Sequence, residues 1–147
     1  MRRIDTITVH CSASDLKSHD NISTIRKWHM KENGWSDIGY NAVILKDGIP
    51  RNCRPIEKIP SGVKGKNTGT LAVCVTGLNK YAKSQFEGLN LLMIYWCGVF
   101  TISPERVLPH NFLDNNKDCP VFGQHQIKKA LGYLPSWAAH GAWKKGV

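Results

Sequence analysis

Ile4-Asp5-Thr6-Ile7-Thr8-Val9-His10 is the stretch on which the reading of this 147-residue chain turns. β-Branched and polar residues alternate along it as in a half-buried strand, and it ends on an imidazole. Outward from it, residues 15–35 read as a connection followed by a helix. Asp20 or Asn21 caps that helix, apolar residues recur at Ile22, Ile25, Trp28 and His29, and Gly34 stops it. His29 lies on the apolar stripe and reads as a core histidine with one hydrogen bond. From Gly39 the period changes to two: Tyr40 to Leu45 is a strand, Asp47-Gly48 a hairpin turn, and Ile49 to Cys53 the returning strand. Residues 60–70 are a glycine-rich basic loop whose spacing does not match a phosphate-binding loop. Leu71 to Thr76 is a short apolar run suited to a central strand. Ser84-Gln85-Phe86-Glu87 has the form of a capping box, opening a helix with Phe86, Leu89, Met93, Trp96 and Phe100 on one face. Arg106 to Leu108 is a further short strand, and a last helix is expected from about Val121 to Leu131, with Gly132 as its stop.

Strands alternating with helices, plus one hairpin, predict a single α/β domain: a mixed central β-sheet flanked by helices, with ligands bound at the strand ends. A chain of this length buries about 68–70% of its unfolded surface, enough for a core without staples. The expected division is a domain over 1–133 and a basic, aromatic extension over 134–147, carrying Trp137, Trp143, Lys144 and Lys145. No apolar run reaches the length of a membrane span, and Met1-Arg2-Arg3 leads directly into the first strand with no signal-peptide core. The expectation is therefore a cytoplasmic protein unless something else releases it. Cys11, Cys53, Cys74, Cys97 and Cys119 contain no C-x-x-C pair and are expected to be mostly free, buried thiols. The formal charge of +9 favours an anionic partner, such as nucleic acid, a membrane surface or an acidic polymer. No stretch resembles a nucleic-acid module, so no specific nucleic-acid partner is expected.

The chemistry gathers in Pro109-His110-Asn111-Phe112-Leu113-Asp114-Asn115-Asn116-Lys117-Asp118-Cys119-Pro120. Imidazole nitrogen and thiolate are the protein ligands zinc takes most readily, and a catalytic zinc needs three of them with the fourth position left to water. His110 and Cys119 could supply two, and His10, at the end of the first strand, is the best third. Cys11 follows His10 directly and so faces the opposite side of the strand, which argues against it as a ligand. Tyr40 stands at the mouth of the hairpin, where a lone tyrosine is more often a packing residue. A cysteine amidase using Cys119 with His110 or His10 as base is the rival chemistry.

Taken together, Val9-His10-Cys11-Ser12-Ala13, Trp35-Ser36-Asp37-Ile38-Gly39-Tyr40, Lys46-Asp47-Gly48, Lys64-Gly65-Lys66-Asn67 before Val73-Cys74-Val75, and Lys117-Asp118-Cys119-Pro120 resemble, in order and spacing, one family. It is the zinc-dependent N-acetylmuramoyl-L-alanine amidases of the type-2 amidase and peptidoglycan-recognition-protein superfamily, and within it the small phage lysozymes that are amidases. The resemblance covers roughly residues 4–132. It implies zinc held by His10, His110 and Cys119, with Tyr40 and Lys117 as the catalytic side chains. The implied reaction is hydrolysis of the amide joining N-acetylmuramic acid to L-alanine, in peptidoglycan or its fragments. A monomer released to the cell wall as a phage or prophage endolysin is the expected setting. A wall-recycling amidase, a secreted toxin amidase and a non-catalytic peptidoglycan-binding module on the same fold are the alternatives. Two departures bear on substrate contacts in this reading: Gly62 and Asn41 stand where many relatives have histidine. The His110 loop also lacks the arginine and acidic residue often found after the histidine, and Asp118 is expected to shape its loop.

Overall fold

The structure is a computed structural model and describes residues 1–120 and Phe122. The expected last helix at 121–131, the boundary at 133 and the extension from 134 lie outside the described residues, apart from Phe122.

Five strands form one sheet among the described residues: β1 (Thr6–Cys11), β2 (Ala42–Ile44), β3 (Pro50–Asn52), β4 (Thr70–Val75) and β5 (Val107–Pro109), in the order β3-β2-β4-β1-β5. β2 and β3 are the antiparallel hairpin, and every other pairing is parallel, so the sheet is mixed as expected. β1 differs from its reading as half-buried, because all six of its residues are buried. It lies between β4 and β5 and is covered on both faces, and its polar residues are short enough to find partners inside. Thr6 Oγ1 donates to Asp5 at 2.8 Å, and Thr8 Oγ1 donates to the Leu71 carbonyl at 3.4 Å. Parallel strands buried on both faces are the usual consequence of covering a sheet from both sides.

One cover is α2 (Lys83–Phe100), whose Leu89, Met93 and Trp96 pack on Ile7, Val9, Leu71, Val73 and Val75. The buried stripe is the one expected; the cap differs. Ala82 is the N-cap, its backbone N–H donating to Gln85 Oε1 at 2.9 Å. Ser84 lies inside the first turn, past the N-cap position, and its hydroxyl donates to the Lys46 carbonyl. Gly48 and Gly88 let the hairpin turn meet this helix: a Cβ at Gly88 would fall 1.8 Å from the Gly48 carbonyl oxygen.

The other cover is α1 (Ile22–Lys27), which continues as a π-helical turn over Trp28–Glu32. Asn21 caps it, accepting from the Ser23 N–H at 2.7 Å, and Gly34 follows at φ 70°. Ile25 packs with Ile38, Val43 and Cys74, so this face carries the residues that point the same way as His10.

Asn41 is 1% exposed and braces this side of the sheet. Its Oδ1 accepts the Ala72 N–H at 2.9 Å, while Nδ2 donates to the Arg54 and Pro55 carbonyls. The residue that departs from the family's histidine is thus tied into the fold by its side chain. Asn41→Ala strands a buried N–H and two carbonyls, and a buried group left unpaired costs about 1–3 kcal/mol. A loss of about 2–3 kcal/mol in urea denaturation is the expected result, with metal uptake unchanged once folded.

Candidate metal centre

Three chain segments meet at the C-terminal end of β1. His10 is its penultimate residue, 1% exposed. His110 opens α3 (His110–Leu113), directly after β5, whose parallel pairing sets Pro109 beside Val9. Cys119 returns from the loop beyond α3, and the Asn111 N–H donates to its carbonyl at 2.7 Å, tying the two ligand-bearing turns together. From the glycine-rich loop, Lys66 Nζ donates to the Leu113 carbonyl at 2.7 Å and holds α3 from outside.

The donor atoms of His10, His110 and Cys119 all lie within 4.8 Å of one another. His10 Nδ1 and His110 Nδ1 are 3.2 Å apart. Two histidine nitrogens bound tetrahedrally at about 2.0–2.1 Å from a metal are separated by about 3.3 Å, so this spacing matches one edge of such a site. The remaining atoms are also suited to ligation. His10 Nε2 lies 3.1 Å from Thr8 Oγ1, and Cys119 Sγ accepts the Cys11 N–H at 3.1 Å, a contact a thiolate would strengthen. The donor set and its geometry fit a divalent metal.

Burial, and after it the His110 and His29 rings, push His10 down to about 3. It is therefore neutral around pH 7, the form that can ligate. Burial also lowers His110, with Lys117 acting in the same direction and Asp114 opposing it. A hydrogen bond with the Cys11 thiol, together with burial, raises the Cys119 thiol well above the ordinary range, while the Cys11 backbone N–H acts the other way. A nucleophilic or metal-binding cysteine needs the opposite shift, which a cation held against the thiolate supplies.

A cleft of ≈ 270 Å³ opens over these atoms, lined by Trp28, His29, Tyr40, His110, Lys117 and Cys119 among others. Four of the five residues named from the sequence, Tyr40, His110, Lys117 and Cys119, line it, and the fifth, His10, lies buried behind them against His110 and Tyr40. Tyr40 is half-buried, its ring centroid 5.2 Å from that of His10 and 5.1 Å from that of His29. Burial, then the Cys74, Cys119 and Cys11 thiols, hold its hydroxyl well above the usual phenol range, so it remains an O–H donor. Lys117 lies exposed at the rim. His29 behaves as its position on the apolar stripe suggested, its Nδ1 accepting the Gly39 N–H at 2.9 Å, but it also faces the cleft. Cys11 packs with the core on the α2 side, as strand alternation suggested, but it also borders the cleft, its thiol in contact with that of Cys119.

The sequence reading missed two residues. Thr8 shares a face with His10 by the period of two, a signal that was available. Gly62 was read as a substrate-side departure; its Cα abuts the His10 ring, and a Cβ there would come within 2.7 Å of Nε2 and 2.9 Å of Cε1.

The mixed sheet with flanking helices is the fold of the type-2 amidase and peptidoglycan-recognition-protein superfamily. Among solved structures, the chain is similar to the N-acetylmuramoyl-L-alanine amidase LysC from Clostridium intestinale (TM-score 0.75, 25% identity, 89% of this chain and 87% of that one). It is also similar in fold to Drosophila PGRP-LB (TM-score 0.74, 18% identity, 99% and 88%). No protein-family model matches the chain. The endolysin of Klebsiella phage KP32 is 41% identical over 128 residues, covering 79% of this chain and 80% of that protein. The chain belongs to the phage endolysin family.

Proposed function

We propose that this protein is a zinc-dependent N-acetylmuramoyl-L-alanine amidase that acts as a monomeric endolysin on bacterial peptidoglycan. The observation that carries the reading is the meeting of His10, His110 and Cys119 within 4.8 Å, under a cleft lined by Tyr40 and Lys117, in a chain of the endolysin family. His10 and His110, whose Nδ1 atoms face each other, and Cys119 through Sγ would hold the ion. Two histidines with one cysteine is a known catalytic set for zinc. When bound, zinc supplies a Lewis acid for the scissile carbonyl and acidifies water to a pKa of about 7.

The chain's own residues supply the rest. The cleft seats the lactyl–alanine amide between the metal site and the rim. Tyr40 and Lys117 donate hydrogen bonds to the carbonyl oxygen as it gains negative charge, the kind of contact that lowers a barrier because it strengthens on the way to the transition state. One of the two also delivers a proton to the departing alanine nitrogen. The net charge of +9 suits an anionic wall polymer. Among the described residues no helix is long and apolar enough to cross a membrane. In this reading the protein reaches the wall when lysis releases it.

The test is mass analysis of soluble products from purified peptidoglycan, digested with and without a zinc chelator. Stem peptides beginning at L-alanine, with glycan strands intact and release abolished by chelation, are expected. Release that survives chelation but stops on thiol alkylation would instead establish cysteine chemistry. A zinc-loaded protein that releases nothing would mark a binding module.

A further inference from the structure

We propose that Thr8 and Gly62 together preset His10 to bind its cation through Nδ1, Thr8 by holding the Nε2 proton and Gly62 by leaving the ring room to reach it. This inference rests on the zinc reading above. A neutral imidazole carries one proton, and the nitrogen without it is the one that ligates. His10 Nε2 faces Thr8 Oγ1 at 3.1 Å, whereas its Nδ1 faces His110 Nδ1. The choice of proton position therefore depends on what Thr8 does with its own single hydroxyl proton. That proton is directed to the Leu71 carbonyl at 3.4 Å, leaving Oγ1 as an acceptor towards His10. Nε2 then donates, and the Nδ1 lone pair points at the metal site.

The arrangement is built into the strand. Thr6, Thr8 and His10 share one face of β1, and Thr8 is 1% exposed, so no water competes for its hydroxyl. The ring sits this close to Thr8 only because residue 62 has no side chain: a Cβ would press on Nε2 and Cε1, the edge that meets Thr8, and its third neighbour, the Ala72 Cβ at 3.4 Å, closes the remaining space. Both are positioning residues, acting on the metal site through His10. Partners that fix the far nitrogen of a metal-binding histidine typically contribute about 10–100-fold in affinity.

The experiment compares wild type, Thr8→Val, Thr8→Ser and Gly62→Ala. Zinc dissociation constants are measured by chelator competition, and the His10 tautomer is read from ¹⁵N shifts of the metal-free protein. Thr8→Val should bind zinc about 10–100-fold more weakly. Thr8→Ser should stay within a few-fold of wild type, and Gly62→Ala should be weakened as the ring is displaced. Metal-free wild type should carry its His10 proton on Nε2, and Thr8→Val should not hold that preference. A stability change alone would move neither the tautomer nor the Thr8→Ser rescue. Unchanged zinc affinity in folded Thr8→Val, or a metal-free wild type protonated on Nδ1, overturns the proposal. Wild type that binds no zinc overturns the functional reading instead, and the tautomer measurement, which needs neither metal nor a variant, still judges Thr8.

Discussion

Cys119→Ser is expected to fold, to purify with little or no zinc, and to release no stem peptides from peptidoglycan. The substitution exchanges the one soft ligand of the set for a hydroxyl that stays protonated near neutral pH and so offers zinc no anion. The packing around Cys119 should survive: the Asn111 N–H bonds to its backbone carbonyl, and Ser Oγ can still accept from the Cys11 N–H. The loss of affinity should exceed the roughly 10–100-fold that follows from disturbing a ligand's supporting partner, because a ligand itself is removed. Metal analysis alongside product release on the same preparation checks this. An active, zinc-free Cys119→Ser protein would remove the proposed site altogether.

Lys117→Ala and Tyr40→Phe should separate chemistry from metal binding. Neither side chain belongs to the donor set, so both proteins are expected to hold zinc at the wild-type level. Removing one donor to a developing oxyanion typically costs about 10²–10³ in kcat, or about 2.7–4 kcal/mol. A fall of that size with zinc content unchanged is the expected outcome for each. Tyr40→Phe keeps the ring that packs beside His10 and His29 and deletes only the hydroxyl. Lys117 stands at the exposed rim, so its alanine variant disturbs little packing. If Lys117→Ala loses zinc along with activity, the lysine belongs to the support of His110 and not to the reaction. The double variant should fall less than the product of the two single effects if both donors act on one oxygen.

Much of this site was legible because each of its parts follows a local rule. Alternation along Thr6, Ile7, Thr8, Val9 and His10 marked a strand and set which residues share a face, and Asp47-Gly48 marked the hairpin. Loop residues of zinc-binding type announced His110 and Cys119. The parts that were not legible depend on through-space contacts. Nothing about a glycine at 62 shows that its missing side chain clears the His10 ring. Nothing about Asn41 shows that its amide spans from the Arg54 and Pro55 carbonyls to the Ala72 N–H. The cap of α2 was misassigned because Ser84 has the right spacing to Glu87, whereas the helix has already begun at Lys83 with Gln85 accepting the Ala82 N–H. β1 was read as half-buried because threonine is polar, whereas between two parallel neighbours a threonine hydroxyl is satisfied inside.

The pairing of β1 with β5 also has a consequence for biosynthesis. His10 and His110 are 100 residues apart, and Cys11 and Cys119 are 108 apart, so the histidine of the first strand must wait for about that much further synthesis before it meets the other two ligands. At about 5–20 residues per second that wait lasts roughly 5–20 s on the ribosome. A nascent or truncated chain ending between Pro109 and Cys119 holds all five strands of the sheet but lacks a complete ligand set. In the zinc reading, hydrolysis therefore requires translation through Cys119, and a host cell making this protein holds no shorter product able to cut its wall.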